Sequence, residues 1–368
     1  MNKTYGNLTF EQILFSAPRV SYDIKAYHKI LSPDYPDFLD KYINLPMLQR
    51  LQGIGLLCGS DWTPLFRNRM YYSRLDHSVG VALIVWHFTH NKAQTISGLL
   101  HDISTPTFSH VSDFRKGDAL TQTVTEGPTA KMIRENADLQ ALLKEDGLTS
   151  AMVEDYHIYP IADNEIPQLS ADRLEYMFPS GMALEGSWTL PEIERCYNDL
   201  TILKNEDGFE ELGFKTLEIA EDYCRRFCMT GHILQLNEDK IVLHMLGQIM
   251  NMAVSENLLS EEDFMTKNES QIIEILDKKL TSKESVIPNS FRNLSRLYKT
   301  FRTMTKVLHT NEPLDENEYF CLNLKVKQRY INPLVNGKRL YDVSEKARQI
   351  IDDFKSFEDT KYGCVKLV

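Results

Sequence analysis

The sequence predicts a mainly helical, all-α protein with a small C-terminal α+β addition. Apolar residues recur at helical spacing over long segments. Residues 76–90 show this best, where Val79, Leu83, Val85, Trp86 and Phe88 make a broad apolar face. Such segments open on residues suited to cap a helix, among them Ser170 and the run Ser260-Glu261-Glu262-Asp263. A late stretch, residues 319–326, instead alternates as a strand does.

Taken in order, residues 1–45 form a mixed segment, broken between Pro33 and Pro36, that is expected to pack on the core. Residues 38–51 carry helical spacing, and residues 62–72 read as an irregular aromatic loop that folds back. After the 76–90 helix comes a short buried helix over 93–101, with Pro106 soon after. Residues 117–126 are polar and aperiodic, which suits a surface or lid loop. Helices are expected over 129–143 and 150–156, then a connector over 160–167. Ser170 caps a helix carrying Asp172, which Pro179-Ser180-Gly181 should end. Segments 191–203, 213–237 and 238–255 read as long amphipathic helices, and 260–279 adds two more. Asn332-Pro333 and Asn336-Gly337 are turn signals. The organisation expected is a helical core over 46–255 followed by a helical C-terminal region, 256–368, with a short strand-like segment.

At 368 residues the chain suffices for one large domain or two ordinary ones. A net charge of -11 argues against a broad basic nucleic-acid surface and favours small-molecule chemistry. No stretch is apolar enough to span a bilayer, and the N-terminus lacks a signal-peptide pattern. The six scattered cysteines read as reduced thiols of a cytoplasmic protein.

The most informative pair is His101-Asp102, at the end of an apolar run. His77 lies one helical segment upstream and Asp172 in a helical segment downstream. Two imidazoles and two carboxylates on three helices can close around one divalent metal and generate a hydroxide nucleophile at neutral pH. A lone histidine on an apolar face is usually a satisfied core residue; the combination carries the inference. The order, the spacing and the flanks resemble the HD superfamily of metal-dependent phosphohydrolases. Ser73-Arg74-Leu75-Asp76-His77-Ser78-Val79-Gly80-Val81 resembles its R-F-E-H-S-L-G-V stretch. Leu99-Leu100-His101-Asp102-Ile103, with Pro106 and Phe108-Ser109-His110, resembles its L-L-H-D-x-G-H-x-P-F-S-H segment, and Asp172-Arg173-Leu174-Glu175-Tyr176 its D-R-x-D-Y helix. The likeness is closest to the deoxynucleoside-triphosphate triphosphohydrolase branch and covers 46–113, the surroundings of Asp172 and, more loosely, 325–333.

The resemblance implies that His77, His101, Asp102 and Asp172 hold one divalent transition metal (Mn, Fe, Ni, Co or Zn). It implies phosphate or sugar contacts from Arg74, Arg173 and Tyr176, and places His110 and Asp113 at supporting or proton-transfer positions. Arg74 has a local alternative partner in Asp76, and Tyr176 has a packing role as its alternative. The chain departs from the branch at three places. Ser104-Thr105 stands where the branch has Gly-His, Thr125 stands for a second histidine, and Gly55-Leu56-Leu57 lacks its sugar-recognising glutamine. Threonine cannot act as a general acid near neutral pH; His110, Asp113 and Glu126 are the candidates to replace it.

The function expected is hydrolysis of a phosphate ester or anhydride of a nucleotide or related small molecule, in a chain that, like its relatives, assembles as a homo-oligomer. The alternative is a weak or inactive regulatory module binding metal and nucleotide. A purely structural helical protein fits the four matched ligands poorly. Cys224, Cys228 and His232 fall at helical spacing; a buried core face is favoured over half a zinc site. The basic stretches 292–302 and 338–339 read as solvated surface, with an anion site as the minor alternative.

Overall fold

The computed structural model describes residues 22–121, 128–281 and 291–368, with two short strands, β1 (Thr4–Tyr5) and β2 (Leu8–Thr9). The chain is mostly helical with small sheets. The N-terminal half holds α1 (Ile24–Leu31), α2 (Leu39–Ile43), α3 (Pro46–Gln49), α4 (Arg74–Thr89), α5 (Lys92–Leu100), α6 (Val111–Arg115), α7 (Thr129–Glu135), α8 (Ala137–Glu145) and α9 (Ala171–Leu184). Beyond it lie α10 (Leu190–Asn198), α11 (Leu217–Ile233), α12 (Asn237–Ser255), α13 (Asp263–Thr266), α14 (Glu269–Leu280), α15 (Arg292–Thr303), α16 (Leu340–Val343) and α17 (Glu345–Lys355). No helix among the described residues is long and apolar enough to cross a membrane.

The central element is α4. Its residues from Arg74 to Val85 are buried but for Asp76, as expected of a helix apolar on most faces and packed all round. It contacts α1, α5 and α9, and one apolar cluster runs from Tyr27 through these helices to α11 and α17. A second cluster forms where α6, α12, α14 and α15 meet the C-terminal strands. The phosphate-binding and metal-binding candidates lie mostly where α4, α5 and α9 converge.

Several elements differ from expectation. The 150–156 segment holds only single 3-10 turns, at Ser150–Met152 and Tyr156–Ile158. The 129–143 helix is two, because Asn136 ends α7 and its side chain caps α8. Pro179 does not end α9, which continues to Leu184. Proline removes the donor that would meet the Glu175 carbonyl, and the Tyr27 hydroxyl lies 3.5 Å from that oxygen.

Residues expected to extend the 191–203 and 213–237 helices form a hairpin instead, β3 (Leu200–Lys204) with β4 (Glu210–Phe214). The turn is set by Asn205, whose side-chain oxygen accepts from the Asp207 and Phe209 amides. β7 (Leu334–Val335) and β8 (Lys338–Arg339) join it, giving the order β3-β4-β7-β8. Their Asn336-Gly337 turn has positive φ at both residues, as a tight hairpin of this type requires.

A three-stranded sheet, ordered β5-β9-β6, is built from β5 (Leu308–Thr310), β6 (Tyr319–Leu322) and β9 (Tyr362–Lys366). Its register sets Cys321 opposite Cys364, and the two are disulfide-bonded. This corrects the reading of six reduced thiols; the pairing depends on strand register that cysteine spacing does not reveal. Cys224 and Cys228 are buried free thiols in the core, and the nearby His232 ring bonds the Cys228 carbonyl at 2.7 Å.

The β3-β4-β7-β8 sheet is tied to α9 by one buried acid. Glu211 is fully buried, pairs with Arg339 at 2.7 Å, and accepts from the Leu169 amide at 3.2 Å, just before the α9 cap. Burial raises its pKa, and Arg339 opposes the rise. Glu211→Ala is expected to cost about 2–3 kcal/mol of stability, as for loss of a buried charge-assisted pair. Urea denaturation measures it; a change below about 0.5 kcal/mol would show that the pair does not fasten the sheet.

Candidate metal centre

Three helix ends bring the candidate ligands together. Ser73 caps α4 in a reciprocal box with Asp76, so Asp76 is committed to the cap rather than to Arg74. Arg74, the first residue of α4, reaches Asp102 at 2.8 Å and Ser109 at 3.0 Å. His77 follows one turn later. Asn91 caps α5, which ends at His101. There the ring Nδ1 bonds the Gly98 carbonyl at 2.7 Å, satisfying one of the carbonyls that a helix end leaves open. Ser170 caps α9 and sets Asp172 in its first turn.

The candidate ligands meet through the inward nitrogens of the two imidazoles. His77 Nε2 lies 3.2 Å from His101 Nε2 and 3.1 Å from Asp172 Oδ1. Asp102 Oδ2 lies 3.7 Å from His77 Nε2 and 3.5 Å from His101 Nε2, and Asp172 Oδ1 lies 3.7 Å from His101 Nε2. Neighbouring ligand atoms on a cation bound at about 2.0–2.2 Å sit roughly 3–3.6 Å apart, so the cluster of His77, His101 and Asp102 suits a metal ion, and Asp172 stands beside it against His77. Both rings hold Nδ1 on an acceptor and turn Nε2 inward, the arrangement in which a histidine ligand is oriented by its outer hydrogen bond. Mixed nitrogen and oxygen donors suit a first-row transition metal.

The charges follow. Burial opposes ionisation of Asp102, but Arg74, His101 and His77 hold it well below the usual carboxylate range. Burial likewise opposes Asp172, yet His77 and His101 bring it down to about 2. Burial alone would lower His77; the Glu175 carboxylate, then Asp172, raise it to about 10.

The resemblance assigns no role to Glu175, the fourth residue of the Asp172–Tyr176 motif. It has no solvent exposure, and its Oε2 lies 2.5 Å from His77 Nδ1. Tyr72 and Tyr27 donate to its Oε1 at 2.5 and 3.1 Å. Gly80 makes room for it, since a Cβ there would run into the Glu175 carboxylate. The available signals were its place one turn after Asp172 and the acid in the matching family position. Thr105 also gains a part: its hydroxyl donates to Asp102 Oδ1 at 2.8 Å.

The centre opens into a cavity of about 250 Å³. Arg74, His110, Arg173 and Tyr176 line it with the four ligands. Asp113 does not reach it; fully buried, it holds His110 Nδ1 at 2.9 Å. Burial lowers the His110 pKa; Asp113 resists, while Arg329 and Arg74 add to the fall. The Arg173 guanidinium is engaged by Asp163, Asn164 and the Gln168 carbonyl, which fastens the 163–168 connector. The Tyr176 hydroxyl is buried without a hydrogen-bond partner among the described residues, and burial raises it to about 12. Glu126 and Thr125 lie outside the described residues. A second three-residue group, Glu238, His309 and Asp359, is an ion-paired bridge in which His309 bonds both acids, at 2.8 and 3.1 Å.

No family model matches the sequence. Over 156 residues it is 32% identical to the metal-dependent phosphohydrolase cns2 of Cordyceps militaris, a match that spans 42% of this chain and 43% of that relative. Over 321 residues it is 22% identical to the uncharacterized protein YdhJ of Bacillus subtilis, covering 85% of this chain and 89% of the other. Among solved structures it is similar to a hypothetical protein from Aquifex aeolicus, with a TM-score of 0.58 and 16% identity over 90% of this chain and 93% of that one. A phosphohydrolase from Bacteroides thetaiotaomicron gives the same TM-score of 0.58 at 14% identity, over 89% and 95% of the two chains. At these identities the structural likeness shows a shared fold.

Glu175→Gln keeps the size of the side chain but removes the charge that orients His77. It is expected to weaken binding of Mn²⁺ or Co²⁺ by about 10–100-fold, as loss of an outer-shell partner does. Calorimetric titration of the metal-stripped protein measures this; unchanged affinity would remove Glu175 from the centre.

Proposed function

We propose that this chain is a metal-dependent phosphohydrolase of the HD type, cleaving a phosphate ester or anhydride of a nucleotide or related small molecule. The observation that carries the reading is the cluster of His77, His101 and Asp102, with Asp172 beside His77, on the wall of a cavity. The partial likeness to a relative named as a metal-dependent phosphohydrolase supports it.

His77, His101, Asp102 and Asp172 would hold a divalent cation, which would supply acidification of water and charge neutralisation at phosphorus. Hydrolysis breaks the bond between phosphorus and the leaving oxygen, adds the water oxygen to phosphorus and transfers a proton to the leaving group. Arg74, fixed by Asp102 and Ser109 at the cavity wall, offsets charge on the phosphoryl oxygens. Among the described candidates, His110 lines the cavity and is our choice to move the proton. Asp113 holds its Nδ1, leaving Nε2 as the exchanging nitrogen. The unpartnered Tyr176 hydroxyl suits a ligand contact, whereas Arg173 serves by fixing the connector beside α9.

The competing reading is a binding module without turnover. Thr105 motivates it: its hydroxyl is committed to Asp102, and it offers no imidazole for proton transfer.

A panel of deoxynucleoside and ribonucleoside triphosphates, nucleoside monophosphates and p-nitrophenyl phosphate, each with Mn²⁺, Co²⁺, Ni²⁺ or Mg²⁺, separates the two. The hydrolase reading expects turnover of at least one substrate. Asp172→Ala and His110→Ala should each lower its kcat by about 100-fold or more. Stoichiometric metal with no turnover of any substrate would contradict hydrolysis and favour the binding module.

A further inference from the structure

The cavity extends beyond the metal centre to a wall that the proposed hydrolysis does not use. Phe227, Leu234 and Leu243 line this wall with a single acid, Asp239, in the first turn of α12. The preceding residues of that turn are committed elsewhere. The Asn237 amide donates to Asp359 at 2.8 Å, and Glu238 pairs with His309. Asp239 makes no hydrogen bond or ion pair among the described residues, and it lines the cavity.

Opposite it runs the irregular segment 323–333, which supplies Lys327 and Arg329 to the lining. Gln235 fixes this segment by donating to the Lys327 carbonyl at 2.9 Å, and the Lys327 amide donates to Ala119 at 3.1 Å. The Arg329 charge acts on His110, Tyr176 and Asp239 alike, so the acid shares one electrostatic neighbourhood with the phosphate end. Burial pushes Asp239 up to about 7, against the pull of Lys240 and Arg329. A half-buried carboxyl without a protein donor gains most from a donor on a ligand.

We propose that Asp239 is a specificity-determining residue, accepting a hydrogen bond from a hydroxyl or amino group on the organic half of the substrate. The apolar side chains around it would cover the carbon framework of that half. The chain then prefers phosphate esters bearing such donors to simple aryl phosphates. This rests on the phosphohydrolase reading for its substrate, and on the cavity alone for its ligand.

The test compares wild type, Asp239→Asn and Asp239→Ala with Mn²⁺, using the four ribonucleoside 5′-monophosphates and p-nitrophenyl phosphate. In Asp239→Ala, the ratio of kcat/KM for the best nucleoside monophosphate to that for p-nitrophenyl phosphate falls at least about tenfold, mainly through KM. Asp239→Asn, which keeps one acceptor oxygen, loses less. A ratio within about twofold of wild type, in a variant that melts with wild type, overturns the proposal. If wild type hydrolyses none of these compounds, the hydrolase reading fails for them and binding decides. Calorimetric Kd values for the nucleoside monophosphates and inorganic phosphate should then lose the same selectivity in Asp239→Ala. Equal selectivity in wild type and variant, or no nucleoside monophosphate binding to wild type, overturns it.

Discussion

A carboxylate sealed from water holds the centre of this molecule. Glu175 carries no solvent exposure, so its charge must be met by hydrogen bonds from the protein. Three side chains meet it: His77 from α4, Tyr72 from the loop before α4, and Tyr27 from α1. Gly80 leaves the volume it occupies. One acid therefore joins the N-terminal helix, the aromatic loop, the central helix and α9, and in doing so fixes the ring that presents Nε2 to His101 and Asp172. Stability and site geometry are the same set of contacts here.

The surrounding architecture brings the other candidate ligands to that ring from helix ends. His101 closes α5 with its own side chain, Asp172 opens α9 behind the Ser170 cap, and Glu211 ties the preceding residue to a sheet. Helix ends are where backbone groups lack partners, and polar side chains placed there serve both the helix and the centre. The cavity is completed by the second apolar cluster, whose α12 and the segment 323–333 furnish a wall distant in sequence from the ligands.

The parts legible in the sequence were those set locally. The helices around 76–90 and 93–101 follow from periodicity, and the Ser170 cap from residue type. His77, His101 and Asp102, named by the motif, form one cluster in space, and Asp172 lies 3.1 Å from the His77 ring. What escaped depends on distant partners. The continuation of α9 past Pro179 goes with Tyr27, more than a hundred residues away. The 200–214 hairpin was masked by an apolar run that also suits a helix. The Cys321–Cys364 bond needs strand register. The engagement of Arg173 by residues 163–168 and the buried role of Glu175 are tertiary facts that a motif alone leaves unassigned.

The central claim is that these four side chains form one metal centre oriented by Glu175. Metal analysis of the purified protein, joined to anomalous scattering from crystals soaked in Mn²⁺ or Co²⁺, tests it most directly. The account predicts one ion per chain, bonded to Nε2 of His77 and His101 and to carboxylate oxygens of Asp102 and Asp172, and lost in Asp172→Ala. A protein that binds no divalent ion, or binds it without His77 and His101, would contradict the account.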